Sequence, residues 1–170
     1  MTITARARDA GVPETREVPP SRILAVDYGR RRIGLALSDE LGLTAQPLLT
    51  LLRTNRRNDL RRLREICGKH SVARILVGHP VHMTGEAGPM AEEAAVFAAR
   101  LQKDLDIEVE LVDERLTSWE AEQTMAEVKS RSRRKRAPID DVAAAVLLRD
   151  YLEHKQLSRS SVSTAERTPS

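Results

Sequence analysis

Three acidic clusters stand where secondary-structure elements should begin or end. Asp27 closes the apolar run Ile23-Leu24-Ala25-Val26, Asp113-Glu114 follows the alternating run Glu108–Val112, and Asp140-Asp141 opens the last apolar-periodic segment. A carboxylate at the end of an apolar strand loses hydration unless a cation or a hydrogen-bond donor meets it. Positive charge arrives at once, because Arg30, Arg31 and Arg32 follow between Gly29 and Gly34. Acids at three element ends in an arginine-rich chain are the residues of metal-assisted chemistry on a phosphodiester.

Such chemistry needs an activated water and neutralisation of charge on the attacked phosphate. Two divalent ions roughly 3.5–4 Å apart supply both. Mg²⁺ takes hard oxygen ligands and often uses only one or two carboxylates beside water and phosphate, and carboxylate–water sites accept Mn²⁺ as well. Each acid also has an ordinary reading. Asp27 could start a turn, Asp113 and Glu114 could pair with Arg115 on the surface, and Asp140 or Asp141 could cap a helix. Convergence of the acids requires that the first and fifth strands end at the same edge, with the last helix packed across the first strand.

A second basic cluster precedes Asp140: Lys129, Arg131, Arg133, Arg134, Lys135 and Arg136 make six basic residues in eight. Phosphate neutralisation by this loop would dominate affinity and make it depend steeply on salt; the alternative is a solvated loop. Gly29 and Gly34 flank a turn where the backbone must approach phosphate or pack tightly. Trp119 could stack on a base or cover the core edge.

The elements expected to carry these residues run β-β-β-α-β-α-β-α-α. Two strands form a hairpin around Arg30–Arg32, and 46–52 supplies a third. A helix over 54–69 places Leu60, Leu63 and Cys67 on one face and surrounds them with Arg56, Arg57, Arg61, Arg62 and Arg64. A short strand over 74–77 stops at Gly78-His79-Pro80. Next comes a helix with Ala91, Ala94, Ala98, Leu101 and Leu105 on one face, then the strand 108–112. Thr117 and Glu120 suit a capping box, and the last helix spans about 140–153. Antiparallel strands first and α/β alternation later give an α/β fold, a mixed sheet with helices on both faces.

At 170 residues the prior is one domain, over 22–156, with tails 1–21 and 157–170 that read as disordered. The lone Cys67 excludes an internal disulfide and fits a reducing, cytoplasmic setting. No stretch approaches the roughly 18 apolar residues of a membrane span. The net charge of +3 is unevenly spread, and nucleic acid is the expected partner. The chain is expected to be a monomer or a homodimer.

Four motifs in order resemble the YqgF family: Val26-Asp27-Tyr28-Gly29 with Arg32-Ile33-Gly34-Leu35-Ala36 and Ser38-Asp39; Val77-Gly78-His79-Pro80 with Met83-Thr84-Gly85; Asp113-Glu114-Arg115-Leu116-Thr117; and Asp140 with Ala143-Ala144 and Leu148 to Tyr151. The family is similar to RuvC Holliday-junction resolvases and is described as nucleases that mature pre-16S ribosomal RNA. The resemblance implies a ribonuclease H-like fold with a five-stranded mixed sheet, and a carboxylate site of Asp27, Glu114 and Asp140 binding Mg²⁺ or Mn²⁺. Asp113 and Asp141 are substitutes one residue away. The sequence departs from the family pattern at His79, His82 and Thr84.

The implied activity is phosphodiester cleavage, in pre-16S rRNA end processing or, alternatively, on branched DNA as a recombination and repair resolvase. The implied partner is a structured RNA precursor or branched DNA. A sugar-kinase or actin-like ATPase would need two such domains in a longer chain. A catalytically silent nucleic-acid-binding module in transcription would have no need of three acids at element ends.

Overall fold

The computed structural model describes residues 21–80, 84, 86–113 and 140–165. Five strands and three helices appear in the order β1 (Arg22–Tyr28), β2 (Arg32–Ser38), β3 (Ala45–Leu52), α1 (Arg56–His70), β4 (Val72–His79), α2 (Pro89–Leu105), β5 (Glu108–Asp113) and α3 (Asp140–Ala165). They form one sheet in the order β3-β2-β1-β4-β5. β1 pairs antiparallel with β2, and β2 with β3; β1 pairs parallel with β4, and β4 with β5. The expected mixed sheet is the one observed.

Strand alternation divides the core in two. Leu24, Val26, Ile75 and Val77 turn toward α1 and α2, where Leu60, Leu63, Cys67, Ala94, Phe97, Ala98 and Leu101 cover them. Ile23, Ala25, Ala36 and Leu76 turn the other way and meet Ala144, Leu147, Leu148 and Leu152 of α3. Full burial of each large aliphatic side chain contributes roughly 1.5–3 kcal/mol. The central strands read as almost continuous apolar runs because both faces are covered.

Helix α1 starts at Asn55, whose side chain accepts from the Asn58 N–H at 2.9 Å, and stops at Ser71 in the left-handed region. Helix α2 starts with Pro89 in its first turn, where the missing N–H costs nothing. Pro47 sits in edge strand β3 beside a register shift, a place where a strand tolerates a lost donor.

Two expected boundaries move. β4 extends beyond 74–77 to Val72–His79. Helix α3 passes residue 153 and runs to Ala165, through residues 157–165 that the composition assigned to a tail. Between Asp140 and Ala165 there is no Gly or Pro, and Ser and Thr weaken a helix without stopping it. The helix expected around Thr117 and Glu120 lies outside the described residues.

Candidate active site

Asp27 is half-buried near the end of β1. Alternation from Ile23 and Ala25 turns it to the α3 face of the sheet. Its partner across the antiparallel pair is Gly34. On the parallel side, the position one step past the Val26–Val77 pair is Gly78. Gly34 and Gly78 are both buried, so neither neighbouring strand places a side chain beside the carboxylate. On this face the flanking strands therefore give Asp27 a cradle of two glycines rather than side chains. Gly34 was legible as a backbone position; Gly78 was not, because its role appears only through pairing.

Helix α3 brings its first turn to this edge. Leu152 lies at the opposite edge: its Cδ2 is 3.9 Å from where a Cβ on Gly42 would stand. Gly42 belongs to the β2–β3 turn, beside Ser38, whose hydroxyl accepts from the Ile23 N–H at 2.9 Å. The helix thus runs antiparallel to β1. Twelve residues back from Leu152 at about 1.5 Å each is ~18 Å, against ~13 Å from Ile23 to Asp27 along a strand. Asp140, the first residue of α3, therefore starts the helix at the Asp27 edge. β1, β4 and β5 run parallel, so they also end there, with β4 between the other two.

The basic hairpin tip is held from a direction the sequence did not reveal. Arg53, in the β3–α1 connection, donates through Nη1 to the carbonyl oxygens of Gly29 at 2.9 Å and Arg30 at 3.1 Å. Its Nη2 donates to the Tyr28 hydroxyl at 2.6 Å, and its backbone N–H donates to the Arg31 carbonyl at 2.9 Å. Nε lies 3.9 Å from the buried carboxylate of Asp59. The Tyr28 ring stacks on Phe97 with centroids 4.3 Å apart. Burial pushes the Tyr28 phenol up, with Arg53 opposing. Arg30, Arg31 and Arg32 are exposed at the tip.

Gly29 is required by local geometry. Its N–H donates to the Arg32 carbonyl at 2.9 Å, and a Cβ there would stand 2.8 Å from that oxygen. Asp113 pairs in register with His79, and strand alternation by itself turns both toward the α1–α2 face. Glu114, His82, Trp119, Lys129, Arg131, Arg133, Arg134, Lys135 and Arg136 lie outside the described residues, as do the side chains of Asp140 and Asp141. Among the described residues, no three His, Cys, Asp or Glu side chains cluster as a metal site.

A five-stranded mixed sheet with its first strand central, two helices on one face and one on the other is a ribonuclease H-like fold. The RuvC of T. thermophilus, solved with a Holliday junction substrate, superimposes with a TM-score of 0.52 at 14% identity, covering 79% of this chain and 96% of that one. A family model described as RuvX, Holliday junction resolvase, matches residues 21–154. The chain belongs to that family, a family of nucleases, and the resemblance drawn from its four motifs is borne out. Curated relatives carry the name "Putative pre-16S rRNA nuclease". The one from Opitutus terrae is 44% identical over 79% of this chain and 92% of its own length. The one from Koribacter versatilis is 41% identical over 81% of this chain and 90% of its own. No helix among the described residues is long and apolar enough to cross a membrane.

Proposed function

We propose that this chain is a divalent-metal-dependent nuclease that trims precursor 16S rRNA, with Asp27 as its central ligand. The observation that carries the reading is the glycine-flanked setting of Asp27 at the edge where α3 begins. A strand-end carboxylate flanked by glycines is a setting that suits a hard cation and a phosphate together. Asp27, Glu114 and Asp140 are the assigned ligands. The alternation of β5 turns Asp113 toward the far face, which leaves Glu114 the preferred acid of that pair.

The donor set is all oxygen, which suits Mg²⁺ or Mn²⁺. A bound ion would supply an activated water and charge neutralisation at the phosphorus. The chain's own contribution is position. Gly34 and Gly78 put no side chain beside Asp27, and Arg53 holds the hairpin so that Arg30–Arg32 present charge at the same edge. The loop of Lys129, Arg131, Arg133, Arg134, Lys135 and Arg136 adds phosphate contacts next to Asp140. Pre-16S rRNA as substrate rests on the names of the relatives, and branched DNA, the substrate named for the family, is the second reading.

The deciding experiment gives purified protein labelled rRNA precursor, duplex DNA and four-way junctions in parallel, with Mg²⁺, Mn²⁺ or neither. Metal-dependent cleavage of the RNA alone is expected, whereas cleavage of junctions alone moves the assignment to a resolvase. Asp27→Asn should fold normally and cleave nothing; full cleavage by that variant removes the site. Asp140→Asn should cost more activity than Asp141→Asn, and the reverse order moves the late ligand by one residue.

A further inference from the structure

We infer that α1 carries a second docking surface, a stripe of arginines that grips the base-paired flank of the RNA substrate away from the cut. The inference rests on the nuclease reading. Arg57, Arg61 and Arg64 recur at helical spacing on the exposed side of α1, about one turn, or 5.4 Å, apart. With Asn55, Asn58 and Asp104 they line one open groove of about 630 Å³.

Two of the three guanidinium groups are held in place. Arg61 Nη2 donates to Asn58 Oδ1 at 2.6 Å, and Arg64 Nη2 donates to the Asp104 carbonyl at 2.7 Å. Each retains further N–H groups to offer a ligand. The acids nearby are few. Asp59 is buried against Arg53, and Glu92 and Glu93 line a neighbouring pocket with Arg56, which leaves Glu65 and Asp104 near Arg57, Arg61, Arg62 and Arg64. The surface keeps a positive balance that internal pairing does not consume.

Its position links it to the active-site edge. The Arg53 N–H bonded to Arg31 fixes the start of α1 beside the hairpin tip. From there the stripe runs down the α1–α2 face from Arg57 to Arg64, about 10 Å along the helix axis. A substrate bound at Asp27 would bend over the sheet edge at Arg30–Arg32 and continue along Arg57, Arg61 and Arg64. Among the described residues of this face Phe97 is buried and the Tyr28 ring is already stacked on Phe97 and against Arg53, so neither ring is a platform for unpaired bases. Arginines at fixed spacing suit instead the regular phosphates of a paired RNA stem, which is recognised by shape and backbone.

The test compares the parent with an Arg57→Ala, Arg61→Ala double variant, each also carrying Asp27→Asn so that binding is read without cleavage. Probes are a long RNA stem, the same stem truncated next to the cut, and a duplex DNA of the long length. For the long stem, affinity should fall about tenfold or more, and the slope of log affinity against log salt should shrink by about 1.4–1.8, two lost contacts. The truncated stem should bind both proteins alike. Arg57→Lys with Arg61→Lys should restore the slope. An unchanged slope on the long stem, an equal loss on both stems, or a loss confined to DNA overturns the proposal. Without Asp27→Asn, both proteins are also assayed for cleavage, so that a failure of the nuclease reading shows separately from a failure of the docking surface. Binding that responds as expected in a protein that cleaves nothing would sink the nuclease reading and leave the docking surface standing.

Discussion

The guanidinium of Arg53 lies 4.4 Å from the centre of the Tyr28 ring and donates to its hydroxyl at 2.6 Å. The same group reaches the Gly29 and Arg30 carbonyls, so one side chain ties the residue after Asp27 to the turn that displays the basic tip. A planar fork can do this, whereas a point-charge ammonium cannot satisfy all these acceptors at once.

Arg53→Ala should therefore lose about 1.5–3 kcal/mol, the range for hydrogen bonds involving a charged group. It should also cut nuclease activity well beyond the effect of Arg31→Ala. Arg53→Lys should recover part of the stability and less of the activity. Urea unfolding and cleavage rates on one substrate measure both. An Arg53→Ala protein as stable and active as the parent would show that the hairpin holds itself.

Gly29→Val should be worse than Arg31→Ala in melting temperature and in cleavage. The added Cβ meets the Arg32 carbonyl at 2.8 Å, and the N–H bond to that carbonyl must lengthen to relieve it. Equal, small effects of the two substitutions would mean the turn relaxes freely.

Gly78→Ala tests the cradle. Its methyl would stand on the α3 face beside Asp27, in space that the reading reserves for metal and phosphate. Cleavage should fall at least tenfold, about 1.4 kcal/mol in barrier, with a smaller change in unfolding free energy. Unaltered cleavage would show that the space next to Asp27 is not used.

Asp150 on α3 offers a pH test. Its Oδ2 is buried with no hydrogen-bond partner among the described residues, and burial pushes its carboxyl above the usual value while Arg149 opposes. A folded-state pKa above the unfolded one favours the protonated form. The stability it adds is complete below the unfolded pKa and disappears as pH rises through the folded one. At neutral pH the charged Asp150 is a burden, so Asp150→Asn should melt higher than the parent. That advantage should shrink as pH falls through the carboxylate range. A variant that melts lower at neutral pH would show that the Arg149 pair, 3.5 Å from Oδ1, outweighs the burial.

Much of this molecule was readable before any coordinates. Apolar runs marked β1 and β2, alternation marked β5, and the three-four spacing of Leu60, Leu63 and Cys67 marked the inner face of α1, because periodicity of burial is a local property of the chain. Asp27 and Gly34 stood out as a strand-end acid and a buried glycine, and the motif order pointed to the family. Helix α3 was under-read because no Gly or Pro marks its stop before Ala165, and propensity alone sets an end poorly.

What remained hidden depends on pairing between distant segments. Gly78 matters because β4 lies beside β1 in parallel register, with Val77 opposite Val26. The far-face position of Asp113 follows from its register with His79, since a shift of one residue would have turned it to the near face. Arg53 looks like any loop arginine until the fold sets it against Tyr28, Gly29 and Asp59. Residue types and their periods determined which chemistry the chain could carry. Sheet order and register decided which of its charged groups meet, because those contacts join residues that no local pattern relates.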